Sequence, residues 1–432
     1  MTLVAFEGVA VGTVMPAVGL DLDGIGLYAW AFNAYVVASL VGMVVAGTWS
    51  DRIGPRIPLL SGMAIFAVGA IAAGLAPSMW VLISARGIQG LGGGAMIVAM
   101  YVFIARAFDE RLRPRAFSLL SAAWVVPSLI GPLIAGWLTE ITTWRTVFWL
   151  VPVVLLLPLV LLRGVLGKFD GGTGETGPSE RSRQAIITAV GLTAVMTGLV
   201  SPSLPLAASA VIVTVGLVAL VWGARRLLPG GALRLARGLP TTVVMRGILA
   251  AAFFSAESFA PLALVEQRGV SIVVAGLLLS VASVGWLVGS LLQGRLPGDA
   301  DRSSTVRMGA LIVAVSIATL PLCLMPAFPP LIASVSMFVG SVGMGLCFPS
   351  IAVQTLRLSR VDEQGANSSS LQISDAILTA VGLGVAGAIH AAAVVAGGAT
   401  PGTYDLIWWL GAGLAFAGAV AAPRMRPAPL PV

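Results

Sequence analysis

A series of fourteen apolar runs, separated by short polar segments, constrains this chain more than any other feature. Each run approaches or exceeds the roughly 20 residues that a helix needs to cross a lipid bilayer. Only 10% of the 432 residues are charged, against about 25% in a soluble domain. The sequence therefore predicts an all-α membrane protein and excludes both a soluble fold and a disordered chain. We place the runs at 2–18, 27–49, 57–76, 80–105, 116–138, 146–162, 185–201, 206–224, 243–261, 272–292, 306–324, 330–356, 366–396 and 405–422.

The basic residues predict the orientation of these helices. All but three of the 25 Arg and Lys residues follow even-numbered runs or lie at the C-terminus; we assign Arg145 and Arg268 to odd-numbered loops and only Arg86 to a run. Cytoplasmic loops carry an excess of Arg and Lys. We therefore predict that both termini face the cytoplasm in a plasma membrane. The net charge of +7 then reflects topology, and we expect no nucleic-acid partner.

The polar segments divide the runs into groups of six, two and six. Residues 163–184 read as a cytoplasmic linker, and a second basic stretch covers 225–242. We predict an N-terminal six-helix bundle (1–162), linkers with an inserted, peripheral transmembrane hairpin (163–242), a C-terminal six-helix bundle (243–422) and a cytoplasmic tail (423–432). Six plus six is the pattern of transporters whose halves are related by repeats, with the substrate site between them.

Residues for covalent chemistry or metal binding are scarce. Cys323 and Cys347 both lie in apolar runs, and His390, the single histidine, fits a structural or interfacial role better than a coupling role. The Gly-rich stretch at 90–94 has no Lys-Ser/Thr after it, so it is not a phosphate-binding loop. We expect no enzyme activity, no metal and no cofactor.

Four ionisable residues inside the predicted helices are the strongest functional signal: Glu7, Arg86, Glu257 and Asp375. A charge at the bilayer centre costs about 2.5–3.5 kcal/mol on insertion scales, so such residues are rarely idle. A carboxyl in a low dielectric favours its protonated form and can exchange a proton near neutrality. We predict that these four residues carry proton coupling. The alternatives are acids that stay protonated permanently and an Arg86 side chain that extends to the interface.

Two segments resemble motifs of the major facilitator superfamily. The loop after the second run resembles the signature loop of that family through Gly47, Asp51, Arg52, Gly54 and Arg56. The fifth run resembles the antiporter motif of its efflux members through Pro127, Gly131, Pro132 and Gly136. The alternatives are an ordinary basic loop and a purely structural kink.

A third segment, from Arg86 to Ala95, resembles the fourth-helix motif of the same superfamily. The first run resembles that of the fourteen-span drug:proton antiporters of this superfamily. Glu7 stands nine residues before Pro16, where those antiporters carry an acid, although Glu replaces the usual Asp and Gly12 replaces the usual Asn. The loop at 294–298 in the C-terminal half lacks the Asp-Arg pair, so that half matches by layout more than by motif.

The resemblance implies the major facilitator fold and proton-driven export of small lipophilic, often cationic compounds by alternating access. We expect a monomer whose partners are the bilayer, protons and a small-molecule substrate. The residues that we expect to line the substrate cavity are Asn33, Gln89, Trp124, Trp286 and Gln372. The alternatives are an exporter or importer of a dedicated metabolite or lipid, and a non-transporting membrane scaffold or sensor. A scaffold or sensor needs no ionisable groups within the membrane.

Overall fold

The computed structural model describes residues 2–107, 127, 130–166, 180–200, 205–297, 300–360 and 364–427. These residues form fourteen α-helices, and no β-strand occurs among them. Twelve of the described helices are long and apolar enough to cross a membrane. The other two are the helix Ile130–Ile141, which is described over a shorter range, and the helix Glu180–Val200, which begins with charged residues. The chain is an all-α, multi-pass membrane protein, as the sequence predicts.

The helices divide between two compact units, Met1–Gly223 and Ala224–Val432. The first unit holds α1 (Thr2–Asp21), α2 (Tyr28–Ile53), α3 (Arg56–Gly74), α4 (Met79–Ala107), α5 (Ile130–Ile141), α6 (Trp144–Leu166), α7 (Glu180–Val200) and most of α8 (Leu206–Leu227). The second holds α9 (Leu239–Arg268), α10 (Ile272–Gly294), α11 (Arg302–Thr319), α12 (Ile332–Leu358), α13 (Gln364–Val395) and α14 (Pro401–Ala421).

Helix α9 departs most from its predicted span. It runs from Leu239 to Arg268. The glycines that flank it, Gly238 and Gly269, have positive φ angles of 87° and 61°. The predicted end at Pro261 is wrong because proline is tolerated within a membrane helix, where neighbouring groups satisfy the freed carbonyl. The longer helix makes Arg246 the eighth residue of α9. The prediction that Arg86 alone is a basic residue within a helix is therefore also wrong.

The helices of the two units pack in the same order. In the first unit α2 packs on α4, α3 on α4 and α6, and α1 on α6. In the second unit the helices eight positions later repeat this pattern: α10 packs on α12, α11 on α12 and α14, and α9 on α14. Five helices of each unit thus repeat one packing pattern, and the predicted division into two six-helix bundles stays a prediction.

Helices α7 and α8 form a hairpin that lies almost wholly within the first unit. Helix α7 packs on α2, and the hydroxyls of Thr48 and Ser182 lie 3.2 Å apart across this contact. A Cβ on Gly191 of α7 would overlap the backbone of α8 at Leu220. The hairpin is therefore a closely packed pair attached to α2.

Glycine allows two of the closest helix contacts. On α4, a Cβ at Gly90 or Gly94 would overlap a carbonyl oxygen of α2. On α10 and α12, a Cβ at Gly289 or Gly345 would overlap the backbone of the facing helix. Small residues at such crossings let membrane helices approach closely. The Gly-rich stretch at 90–94 is thus a helix-packing surface.

Candidate functional site

Glu7 and Arg86 form a buried ion pair between α1 and α4. Their side chains are 1% and 3% exposed. The Nη1 of Arg86 donates to the Oε1 of Glu7 and, over 2.9 Å, to the Oε1 of Gln89, while its Nε donates to the carbonyl oxygen of Ala31 at 3.2 Å. The guanidinium carbon lies 4.5 Å from the ring centroid of Tyr35. A buried arginine is stable only when its charge and its donors are satisfied in this way.

This cluster still has unused polar atoms. Within the described part of the chain, the Oε2 of Glu7 and the Nε2 of Gln89 are buried and have no hydrogen-bond partner. The contacts of Arg86 exclude the alternative in which this side chain extends to the membrane surface. One carboxylate oxygen of Glu7 therefore stays available to bind a proton or to contact a cation.

A second acid–arginine pair joins α9 to α13. The Nε of Arg246 lies 3.2 Å from the Oδ2 of Asp375, and the side chains are 17% and 21% exposed. Thr379, one turn along α13, donates to the Oδ1 of Asp375 at 3.3 Å. The sequence analysis singled out Asp375 and assigned Arg246 to a loop. The structure shows that Arg246 is the cation beside this acid.

Aromatic rings surround the second pair. The guanidinium carbon of Arg246 lies 4.1 Å from the ring centroid of Phe348. Trp286 packs against Phe348 with centroids 5.1 Å apart and stacks on Phe254 at 6.3 Å and 20°. Trp286 was a predicted cavity residue, whereas Phe254 and Phe348 were missed because nothing distinguishes them from the apolar residues around them.

Glu257 lies on α9, three helical turns beyond Arg246, and its side chain is partly exposed. Among the described residues it makes no hydrogen bond or ion pair. At about 1.5 Å per residue, Arg246 is too far along the axis to reach it. Glu257 is thus a membrane-embedded acid available to a ligand.

The signature-loop residues form the turn between α2 and α3. Gly54 follows the last residue of α2 with a φ of 83°, a conformation that glycine adopts without strain. Arg52 lies in the last turn of α2, Arg56 begins α3, and Gly47 faces Val98 of α4. The side chain of Asp51 lies outside the described residues.

The antiporter-motif residues Pro127, Gly131, Pro132 and Gly136 are all buried. Gly131 of α5 lies against Phe6 of α1, where an added Cβ would be 3.4 Å from the ring. Residues 108–126, 128 and 129 lie outside the described part of the chain, so the bend that we predict at Gly131-Pro132 stays a prediction.

The structure places the predicted cavity residues in different surroundings. Gln89 belongs to the Glu7–Arg86 cluster, Trp286 to the aromatic cluster beside Arg246, and Gln372 is partly exposed one turn before Asp375. Asn33 is buried and lies at a groove of about 660 Å³ between α2, α4 and the α7–α8 hairpin, lined almost entirely by apolar residues. Trp124 lies outside the described residues.

Metal chemistry receives no support from the described residues. Within the described ranges, no group of three or more His, Cys, Asp or Glu side chains could hold a metal ion. Cys323 and Cys347 are both free and buried. The groups brought together inside the membrane helices are carboxyls, guanidinium groups, amides and aromatic rings, which bind protons and small organic ions.

Comparison with known proteins points in the same direction. The family model described as Major Facilitator Superfamily matches residues 1–383. Multidrug transporter protein MdtP of Bacillus subtilis is 27% identical over 400 residues, which cover 89% of this chain and 72% of that protein. The probable multidrug-efflux transporter Rv1634 of Mycobacterium tuberculosis is 26% identical over 401 residues. These residues cover 87% of this chain and 83% of the Mycobacterium tuberculosis protein.

Solved structures agree on the fold. The crystal structure of a POT family transporter in complex with a thioalcohol-conjugated peptide superposes with a TM-score of 0.70 over 97% of this chain and 94% of that chain. A peptide transporter POT in complex with sulfate gives a TM-score of 0.69 over 98% and 94%. The identities are 14% and 15%, so the likeness concerns the fold alone.

Proposed function

Because the chain belongs to the major facilitator superfamily, a family of membrane transporters and not of enzymes, we propose that it exports small lipophilic or cationic compounds in exchange for protons, by alternating access. The names of the relatives in Bacillus subtilis and Mycobacterium tuberculosis support multidrug efflux as the activity. The peptide complexes among the solved structures concern those proteins and do not bear on the substrate of this chain.

The observation that carries the proposal is the buried Glu7 carboxylate. One of its oxygens is bound by Arg86, and the other has no partner among the described residues. An ionisable acid inside a membrane protein costs free energy, so acids at such positions are rare and mark functional sites. Protonation of Glu7 would weaken its attraction for Arg86, so proton binding would change the contact between α1 and α4.

A carboxyl that binds either a proton or a cation can exchange one for the other. Glu257 has no partner in the described ranges and shares α9 with Phe254, which stacks on Trp286. Aromatic faces attract organic cations, and a deprotonated Glu257 adds a negative charge three residues away. A cationic substrate then binds while Glu257 is deprotonated and leaves when a proton arrives. This competition produces antiport.

The driving force depends on the charge of the substrate. A neutral compound exchanged for one proton moves one net charge, which is worth about 2.3 kcal/mol per 100 mV of membrane potential. A monovalent cation exchanged for one proton moves no net charge, so it gains only from the pH difference, about 1.4 kcal/mol per unit. The predicted topology places both termini in the cytoplasm. Export of a substrate from the cytoplasm then brings protons in from the outer face of the plasma membrane.

The remaining predicted residues take supporting roles in this proposal. Arg52, Gly54 and Arg56 form the turn that links α2 to α3, and we assign them, with Gly47 and Asp51, to the change between access states. Pro127, Gly131, Pro132 and Gly136 hold α5 against α1. The α7–α8 hairpin is peripheral, and the transporter works as a monomer.

A reconstituted transport assay tests the proposal. The purified protein in liposomes should accumulate ethidium, used as a probe cation, when a pH gradient is imposed, and should stop when nigericin collapses the gradient. The Glu7→Gln variant, incorporated to the same level, is the control. Ethidium accumulation that does not depend on the pH gradient, or that equals the accumulation in protein-free liposomes, would contradict the proposal. A hydrophilic metabolite transported under the same gradient in place of ethidium would favour the dedicated-metabolite alternative.

A further inference from the structure

A second cluster of titratable side chains lies where α9 ends and α14 begins. The Oη of Tyr404 on α14 donates to the Oε2 of Glu266 on α9 at 2.5 Å and lies 3.4 Å from the Nε2 of His390 on α13. The ring centroids of His390 and Phe259 are 5.5 Å apart. Three helices of the second unit therefore meet at one hydrogen-bonded chain.

This chain runs from the surface into the interior. Glu266 is exposed and lies two residues before the last residue of α9, whereas His390 is 1% exposed and Tyr404 is fully buried. The carboxylate at the surface is thus connected to a buried imidazole through a single hydroxyl group. A proton that arrives at the exposed end has a hydrogen-bonded route to the imidazole.

The other ionisable groups at this end have different contacts. Arg268 of α9 donates to three backbone carbonyls in the segment between α11 and α12, among them that of Cys323. Asp405 is next to Tyr404 on α14, and its Oδ1 is buried with no hydrogen-bond partner in the described part of the chain. Tyr404 is the polar side chain through which His390 is joined to an acid.

We propose that His390, Tyr404 and Glu266 form a proton-binding site separate from Glu7, Glu257 and Asp375. The added proton resides on His390. The Nε2–H of the resulting imidazolium donates to the Oη of Tyr404, whose O–H donates to the carboxylate of Glu266. The positive charge on the ring is balanced by the negative charge at the far end of the chain.

The position of Glu257 separates this site from the acids of the proposed exchange. Phe259, which packs against His390, lies two residues after Glu257, a rotation of about 200° around α9. Glu257 therefore points to the opposite side of the helix, and the hydrogen-bonded chain does not lead to it.

The first unit has a related contact between its first and sixth helices, but this contact contains no histidine. At the end of α1, the Oδ2 of Asp21 accepts from the Nε1 of Trp144 at 3.0 Å and from the Nη1 of Arg145 at 2.8 Å, at the start of α6. In both units a carboxylate near the end of the first helix (α1 or α9) accepts a hydrogen bond from an aromatic side chain at the start of the sixth helix (α6 or α14). Arginine stays charged at every physiological pH, whereas histidine changes its charge. Only the contact with His390 therefore contains a side chain that can gain a positive charge on protonation.

Proton binding at this site should strengthen the contact of α13 with α9 and α14. By the predicted topology, this end of the second unit faces the outside of the cell. External acid would then stabilise this contact independently of the proton that is exchanged for substrate.

Because His390 is the only histidine in the sequence, histidine-selective isotope labelling gives a single ring signal in an NMR spectrum. The experiment uses the full-length protein in detergent, purified without a polyhistidine tag, between about pH 8 and about pH 3, because burial disfavours the charged ring. We expect the ring signal to move from the neutral to the imidazolium position. In Tyr404→Phe and Glu266→Gln it should remain neutral at the pH where the wild-type signal has moved halfway.

Trp144→Phe is the matched control because it removes the aromatic donor from the related contact in the first unit. We expect this variant to titrate like the wild-type protein. A ring signal that does not move in the wild-type protein, or that moves equally in Tyr404→Phe and Glu266→Gln, would overturn the proposal. The readout does not use transport, so failure of the proposed export would leave the result of this test intact.

Discussion

Arg246 of α9 and Asp375 of α13 are joined by an ion pair of 3.2 Å between Nε and Oδ2, and Glu7 and Arg86 form another between α1 and α4. Each unit thus holds an acid and an arginine together inside membrane-spanning helices. Protonation of either acid removes one charge from its pair. Such pairs allow proton binding to alter the contact between two helices.

The stability losses from removing the two members of the Arg246–Asp375 pair should not be additive. Either Arg246→Gln or Asp375→Asn leaves a charge without its partner, and we expect each to lower stability by about 1–3 kcal/mol. The double variant should lose less than the sum of the single losses, because no unpaired charge remains. Unfolding in detergent, monitored for the four proteins, measures the coupling. Additive losses would show that the pair contributes no interaction energy.

Arg86→Lys should impair transport even though it keeps the charge. A lysine cannot reproduce the planar set of donors that reaches Glu7, Gln89 and the carbonyl of Ala31. We expect the initial rate of ethidium transport in liposomes to fall at least about tenfold. Arg295→Lys, at an exposed position, is the matched control and should transport normally. Wild-type rates in Arg86→Lys would mean that charge alone is required at this position.

Cysteine labelling should confirm the predicted orientation. Both natural cysteines are buried, so they give a low background. Ala396 and Gly230 are exposed at opposite predicted faces. Ala396→Cys should react with a membrane-impermeant maleimide on intact cells, whereas Gly230→Cys should react only after the cells are permeabilised. The reverse pattern would invert the topology and the proposed direction of transport.

The tail after α14 should stabilise the second unit in a pH-dependent way. Arg426 donates to the Oδ2 of Asp301 at 2.5 Å, and Asp301 caps α11 by accepting from the backbone N–H of Ser303. Burial raises the pKa of Asp301, but the hydrogen bonds from Arg426, Ser304 and Ser303 outweigh it and hold this pKa below the usual range. The stabilisation is therefore present above the unfolded pKa of about 4 and is lost as the pH falls below it.

We expect Asp301→Asn to lower the melting temperature in detergent at neutral pH. The difference from the wild-type protein should shrink steadily below about pH 4. Arg357→Gln is the control, since Arg357 donates to the neighbouring carbonyl oxygen of Ala300 and contacts no acid among the described residues. A difference between Asp301→Asn and the wild-type protein that stays constant down to about pH 3 would rule out the charge of Asp301 as its cause.

The sequence predicts the helices well because apolar length is a local property. It identifies Glu7 and Arg86 individually, since charges are conspicuous in apolar runs. It does not show that they pair, because the partners are 79 residues apart and their contact depends on how α1 and α4 pack. Arg246 was misplaced for another reason: it lies only three residues after the start of the predicted run 243–261, and a basic residue so near a helix end reads as part of a loop.

Two further features could not be predicted from local pattern. Phe254 and Phe348 lie in apolar segments, so only the position of Trp286 reveals that they form a cluster. The chain from Glu266 through Tyr404 to His390 joins three helices. Predicting it requires the true end of α9, because the predicted end at residue 261 leaves Glu266 in a loop.

The most direct test of the central claim is a measurement of proton movement driven by substrate alone. Liposomes containing the transporter and a pH-sensitive dye are prepared without a pH gradient, with the membrane potential clamped by potassium and valinomycin, and ethidium is added outside. The account predicts that protons leave the lumen as ethidium enters, and that Glu257→Gln abolishes this exchange although the protein inserts normally. Ethidium entry without proton movement, or unchanged proton movement in Glu257→Gln, would contradict the account.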